Sequence, residues 1–220
     1  MASDSKRLKY SIIFPLFFLV IIWLIKIFEV ELNLDFSFLG IYPLKVKGLI
    51  GILTAPLIHA SFNHLISNSI PFFILGVALF YFYPKVAHKV FIFIYLTTNI
   101  WVWLSARSAY HIGASGIIYG LTSFIFFSGI IRKDTRLAAI SLLTIFLYGS
   151  MVWGIFPLKQ TISFESHLFG AIAGIVMAIY YKNYDVDVKN TKDFDDENPN
   201  INSTDNSSEI KYFYNEEKDS

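Results

Sequence analysis

Apolar residues run along this chain in blocks too long for strands and too unbroken for the helices of a soluble core. A helix that crosses a bilayer needs about 20 mostly apolar residues, and six segments meet or approach that length. The first covers residues 10 to about 28, interrupted only by Lys26 near its end, where a lysine can snorkel to the interface. Residues 48–84 then carry no Asp, Glu, Lys or Arg. That stretch is too long for one span. It divides into a re-entrant or interfacial part to about Asn63 and a helix over about 64–83. Further spans are expected over 90–106, about 113–131, 137–156 and about 164–181. Each must be helical, because hydrocarbon offers no water to an open backbone. The expected fold is an all-α, polytopic membrane protein with six transmembrane helices and a partly re-entrant first loop.

Charge orients the spans. Lys and Arg accumulate in short cytoplasmic loops. With the N-terminus inside, the inner segments hold Lys6, Arg7, Lys9, Lys85, Lys89, Arg132, Lys133, Arg136 and Lys182. The outer segments hold Lys45, Lys47, Arg107 and Lys159, so the bias places both termini in the cytoplasm. The first apolar run has the basic start of a signal peptide, but it is long and no small-x-small cleavage site follows it. A retained first span is expected.

Composition adds a boundary. The chain is 55% hydrophobic and 16% charged, well under the roughly 25% charge of a soluble domain. Its net charge of +1 conceals a division. Residues 1–181 carry 13 Lys and Arg against 6 Asp and Glu, whereas 182–220 carry 5 Lys against 11 acids. Residues 1–9 read as a short cytoplasmic N-terminus, 10–181 as the membrane domain and 182–220 as a disordered acidic cytoplasmic tail. The basic residues sit singly between apolar runs, which gives no support to nucleic-acid binding. With zero Cys there is no disulfide scaffold, thiolate metal site or cysteine nucleophile. No H-E-x-x-H metal motif is present.

Ionisable and polar residues inside a membrane are costly and mark function. Three clusters stand out. His64 and Asn68 lie four apart in the first turns of the second span. Ser115 opens the fourth span, with Tyr119 one turn below it on the same face. His167 opens the sixth. In the orientation above, the even-numbered spans all start at the outer face, so these residues share one depth in its outer third. Gly116 and Gly120 on the fourth span, and Gly170 and Gly174 on the sixth, form small-xxx-small faces. If those faces meet, Ser115 and His167 come together just above the contact.

A serine beside a neutral histidine is a nucleophile with its general base. Glu165 stands two residues before His167 and points elsewhere, so a dyad is expected without a third acid. Tyr119 would pack on the imidazole. Oxyanion donors are available from free amides at the helix N-terminus, from Asn68 and from His64. Gly113 and Gly116 would let a substrate backbone approach. His111 is a competing base, and His59 would cap or brace the re-entrant loop. A soluble hydrolase elbow, G-x-S-x-G, fails here because the fifth residue is Ile117.

These residues resemble the rhomboid family of intramembrane serine proteases. Gly113-Ala114-Ser115-Gly116 is similar to its G-x-S-G motif, and His64-Leu65-Ile66-Ser67-Asn68 to its H-x-x-x-N motif. His167 with Gly170 and Gly174 is similar to its sixth helix. The resemblance spans about residues 10–181. It implies a rhomboid-like bundle that cuts transmembrane or juxtamembrane segments of membrane proteins near the outer face. Ser115 would be the nucleophile, His167 the base, Asn68 and His64 the oxyanion donors, and Tyr119 the residue stacked on the base. It implies no cofactor or metal, a bacterial inner membrane, and partners limited to membrane-protein substrates and the lipid bilayer. Residues 41–63 match the family's first loop. Where many members carry a Trp-Arg pair, this loop reads Gly48-Leu49-Ile50-Gly51, and Ser166 stands where Ala is common before the histidine. The alternatives are a protein of the same fold that binds or escorts membrane helices without cutting them, and a small transporter or channel.

Overall fold

The computed structural model describes residues 2–147, 153–156 and 163–183. The part of the acidic tail from residue 184 onward lies outside the described residues. Regular structure among them is helical: α1 (Ala2–Glu31), α2 (Gly51–Thr54), α3 (Phe62–Phe82), α4 (Ala87–Ser105), α5 (Ser115–Arg132), α6 (Thr135–Leu147) and α7 (Phe164–Tyr180).

Local chemistry sets several boundaries. Ser61 is extended, and its Oγ accepts the His64 N–H at 3.1 Å, so α3 starts before the histidine instead of at it. Ser163 caps α7 in the same way, accepting the Ser166 N–H. Lys133 turns left-handed with φ 57° and closes α5. α1 extends past the apolar run at both ends, where Lys6, Arg7, Lys9, Glu29 and Glu31 are sound helix formers.

Four helices, α1, α3, α4 and α5, are long and apolar enough to cross a membrane. The six expected spans are matched to that extent. α6 is described as far as Leu147, so part of the span expected over 137–156 lies outside the described residues. α7 is apolar but shorter, at 17 residues. Apolar side chains stay open along α1, with Ile13 59%, Phe17 62% and Leu24 60% exposed. An unbroken greasy face of that size suits hydrocarbon and not water. The protein is a multi-pass integral membrane protein.

α5 is the central helix and packs on α3, α4, α6 and α7. Its contact with α7 is the closest. A Cβ on Gly170 would lie 2.9 Å from the Gly116 carbonyl carbon, and one on Gly174 2.9 Å from that of Gly120. The two glycine faces do meet, backbone to backbone.

The first loop, 32–61, is a chain of short helical turns: Ser37–Leu39, Val46–Gly48, α2 and Ala55–Leu57. Such a loop carries many backbone carbonyls that need donors. α4 supplies three from one face. The Tyr95 hydroxyl donates to the Leu53 carbonyl, Asn99 Nδ2 to Ile52 at 3.0 Å and Trp103 Nε1 to Lys45 at 3.1 Å. Ile41 pairs with His111 through backbone bonds of 3.0 and 2.9 Å. Lys26 does not snorkel. It is 7% exposed, its Nζ 2.8 Å from Glu29 Oε2 and 3.3 Å from the Ala60 carbonyl oxygen. Burial is feasible because the acid one turn on neutralises it.

Candidate active site

The N-termini of α3, α5 and α7 each carry one of the polar clusters. Ser115 is the first residue of α5 and follows Ala114, which offers no side-chain cap. The leading amides of a helix have no partner inside it. Gly113, just before, has φ +108°, a conformation open to glycine and strained for any other residue. Its N–H donates to the Ala55 carbonyl at 2.9 Å, and the Ala114 N–H points to His59 Nε2 at 3.4 Å. The loop therefore delivers Ser115 in a fixed orientation. His59 braces that approach, as well as the first loop from which it comes.

His167 lies in the first turn of α7 and is 7% exposed. Its Nε2 stands 2.9 Å from Ser115 Oγ, and its Nδ1 2.8 Å from the Gly154 carbonyl oxygen. A carbonyl only accepts, so Nδ1 carries the proton. That leaves the Nε2 lone pair facing the serine O–H, the tautomer a general base requires. The Tyr119 ring stacks on the imidazole at 4.1 Å between centroids and 10° between planes.

His64 and Asn68 on α3 complete the cluster. A Cβ on Gly113 would lie 2.9 Å from His64 Nε2 and 3.7 Å from Asn68 Nδ2. The missing side chain leaves room bounded by these two groups beside the serine. Asn68 is 5% exposed, and its Nδ2 has no hydrogen-bond partner. A buried amide donor without an acceptor costs about 1–3 kcal/mol, and this one can serve an acceptor placed beside Ser115.

The other candidates are committed elsewhere. Glu165 accepts from Arg107, with Nη1 at 3.3 and 3.2 Å from its two oxygens, and does not face His167. His111 has Nδ1 at 2.6 Å from Ser163 Oγ and Nε2 at 3.0 Å from the Arg107 carbonyl oxygen. Both its nitrogens are occupied, and burial pushes its pKa below the usual imidazole value. Held neutral, it fastens the cap of α7 to the loop before α5. Among the described residues no group of His, Asp and Glu could hold a metal ion.

Sequence reasoning missed the Gly154 carbonyl. A backbone oxygen in the apolar stretch Trp153-Gly154-Ile155 has no side-chain signature. It also missed Lys26 and Glu29, although their spacing of three is that of a helix ion pair.

Fold and site together define a class: a multi-pass helical membrane protein with a part-buried serine–histidine hydrogen bond at one end of its bundle. The chain belongs to the rhomboid family, whose model, the Rhomboid domain, matches residues 47–184. It is similar to an uncharacterized Mycobacterium tuberculosis protein, 32% identical over 176 residues, covering 73% of this chain and 71% of that one. An uncharacterized Mycobacterium leprae protein is 28% identical over 194 residues, covering 80% and 74%. A Bacillus subtilis protein named "Putative rhomboid protease" is 30% identical over 132 residues, covering 58% and 64%.

Proposed function

We propose that this protein is an intramembrane serine endopeptidase that cleaves transmembrane or juxtamembrane segments of membrane proteins. The observation that carries the reading is the hydrogen bond between Ser115 Oγ and His167 Nε2, with Nδ1 committed to Gly154. Ser115 Oγ attacks the scissile carbonyl carbon while His167 Nε2 takes its proton. The carbonyl electrons move onto oxygen, and that oxyanion sits among the α5 N-terminal amides, Asn68 Nδ2 and His64. The tetrahedral species collapses, the C–N bond breaks, and His167 returns its proton to the departing amine. Water then attacks the acyl-serine by the same sequence and frees the new carboxyl end. This chemistry needs no cofactor.

The Lys and Arg bias supports cytoplasmic termini and a site near the outer face, in what family resemblance makes a bacterial inner membrane. A scissile segment must unwind to reach the serine. Unpaired backbone is costly in lipid, so substrates are membrane helices with a helix-destabilised stretch at that depth. Residues 10–181 act as the six-helix protease domain. The test is cleavage of a single-span reporter by wild type and by Ser115→Ala. Wild type should cut and the variant should not; equal cutting by both overturns the assignment. Fluorophosphonate labelling of Ser115 gives an independent readout.

A further inference from the structure

α1 ends in a buried ion pair that touches neither Ser115 nor His167. Lys26 is 7% and Glu29 6% exposed. Two charges removed from water are expensive, and apolar replacements of similar size are often neutral or stabilising. Stability alone is a poor reason to keep such a pair in an apolar helix. What it supplies is a pair of hydrogen bonds that apolar side chains lack. Glu29 Oε1 accepts the Phe36 N–H at 2.9 Å, and Lys26 Nζ reaches the Ala60 carbonyl at 3.3 Å. Phe36 and Ala60 stand near the two ends of the first loop. One ion pair therefore clasps both ends of that loop to α1.

The Ala60 end leads to the site. On one side of that peptide is His59, whose Nε2 receives the Ala114 N–H and whose ring lies edge-on to His64 at 5.1 Å. On the other is Ser61, whose Oγ caps α3 at the His64 amide. The position of a single carbonyl thus bears on the residue before Ser115 and on the helix turn that carries His64.

We propose that Lys26 and Glu29 are positioning residues. Their clasp on Ala60 and Phe36 holds the His59–Ser61 turn, and through it sets His64 and Ala114 around Ser115. The proposal rests on the proteolytic reading above for its kinetic consequences, but not for its structural one.

The test uses the full chain reconstituted in vesicles. A double variant, Lys26→Met with Glu29→Met, removes both charges and both hydrogen bonds without leaving one charge stranded. Four quantities are read: kcat and KM on a single-span reporter, fluorophosphonate labelling rate at Ser115, unfolding midpoint, and amide hydrogen exchange at Ala114 and His64. The double variant should keep the midpoint and KM. Its kcat and labelling rate should fall about tenfold to a hundredfold, the scale of a small misplacement of reacting groups. Exchange at Ala114 and His64 should quicken. Lys26→Arg, which keeps charge and donors, should recover most of the rate. Wild-type kcat and labelling in the double variant overturn the proposal, as does a loss that merely tracks a fallen midpoint. A wild type that neither cleaves nor labels defeats the proteolytic reading instead. In that case unchanged exchange at Ala114 and His64 in the double variant overturns the clasp, and faster exchange upholds it.

Discussion

Gly170→Ala tests whether the α5–α7 contact sets the distance between serine and histidine. A methyl at Gly170 would stand 2.9 Å from the Gly116 carbonyl carbon and nearer still to its oxygen. Carbon atoms rest at about 3.5–4.0 Å. Neither partner can yield by rotation, since one is backbone and the other a Cβ fixed to backbone. The two helices must therefore part by about 1 Å, in keeping with the tight tolerance of packed interiors. Gly116 adjoins Ser115, and His167 lies less than one turn before Gly170. The separation passes almost undiminished to the Oγ–Nε2 bond of 2.9 Å. It carries that bond past the roughly 2.6–3.2 Å reach of a working base. A misplacement of this size costs on the order of a hundredfold in rate, with an overpacking cost of about 1–3 kcal/mol in stability. The assay is the fluorophosphonate labelling rate of Ser115 per folded molecule, beside reporter cleavage. Gly76→Ala is the control, because its Cβ would meet Pro15 Cγ at 2.9 Å where α1 packs on α3. It should lower stability and leave labelling intact. A folded Gly170→Ala protein that labels at the wild-type rate would refute the reasoning.

Gly113→Ala places a side chain at φ +108° and 2.7 Å from His64 Cε1. Its stability should drop by about 1–3 kcal/mol, and Ser115 labelling should be lost in the fraction that folds. Asn68→Ala should lower kcat by about a hundredfold to a thousandfold with KM little changed, since the donor acts on the developing oxyanion. Asn99→Ala removes one donor to the first loop and should cost about 1 kcal/mol, seen as faster limited proteolysis within residues 45–57. His111 gives a pH signature. Burial holds its pKa below the ordinary 6.5 in the folded state, so below that pH the unfolded chain takes up the proton first. Its contribution to stability is complete above pH 6.5 and fades as pH falls towards the folded value. Unfolding midpoints between pH 7 and about 5 should therefore fall less steeply in His111→Asn than in wild type.

The parts of the site that were legible in the sequence follow from helix periodicity. Gly116 with Gly120 and Gly170 with Gly174 define two helix faces, and a residue just before each pair must meet its counterpart when the faces close. That logic brought Ser115 and His167 together from spacing alone. Ser61 is readable in the sequence as a cap, and it starts α3 two residues before the expected position near His64. The hydrogen bonds made by backbone were not legible. The Gly154 carbonyl fixes the His167 tautomer, and the Leu53, Ile52 and Lys45 carbonyls take the α4 donors. None of these acceptors leaves a mark on residue identity. Tyr95, Asn99 and Trp103 do share one helix face, but without a visible partner they read as scattered polar residues in an apolar span. The length and flexibility of Lys26 suggest an outward path. The acid at Glu29 gave it a shorter inward one.

The polar face of α4 has a consequence for membranes of different thickness. Three anchors rising along one helix gauge the depth of the first loop against α4, not against lipid headgroups. When hydrocarbon thickness and helix length disagree, the mismatch is relieved by tilt or by local deformation of the bilayer. A loop held by headgroup contacts would slide relative to the helices as the bilayer thinned. With its middle tied to α4 and its ends to α1, this loop should move with the helices instead, so that the turn carrying His59 keeps its distance from Ser115 as thickness changes.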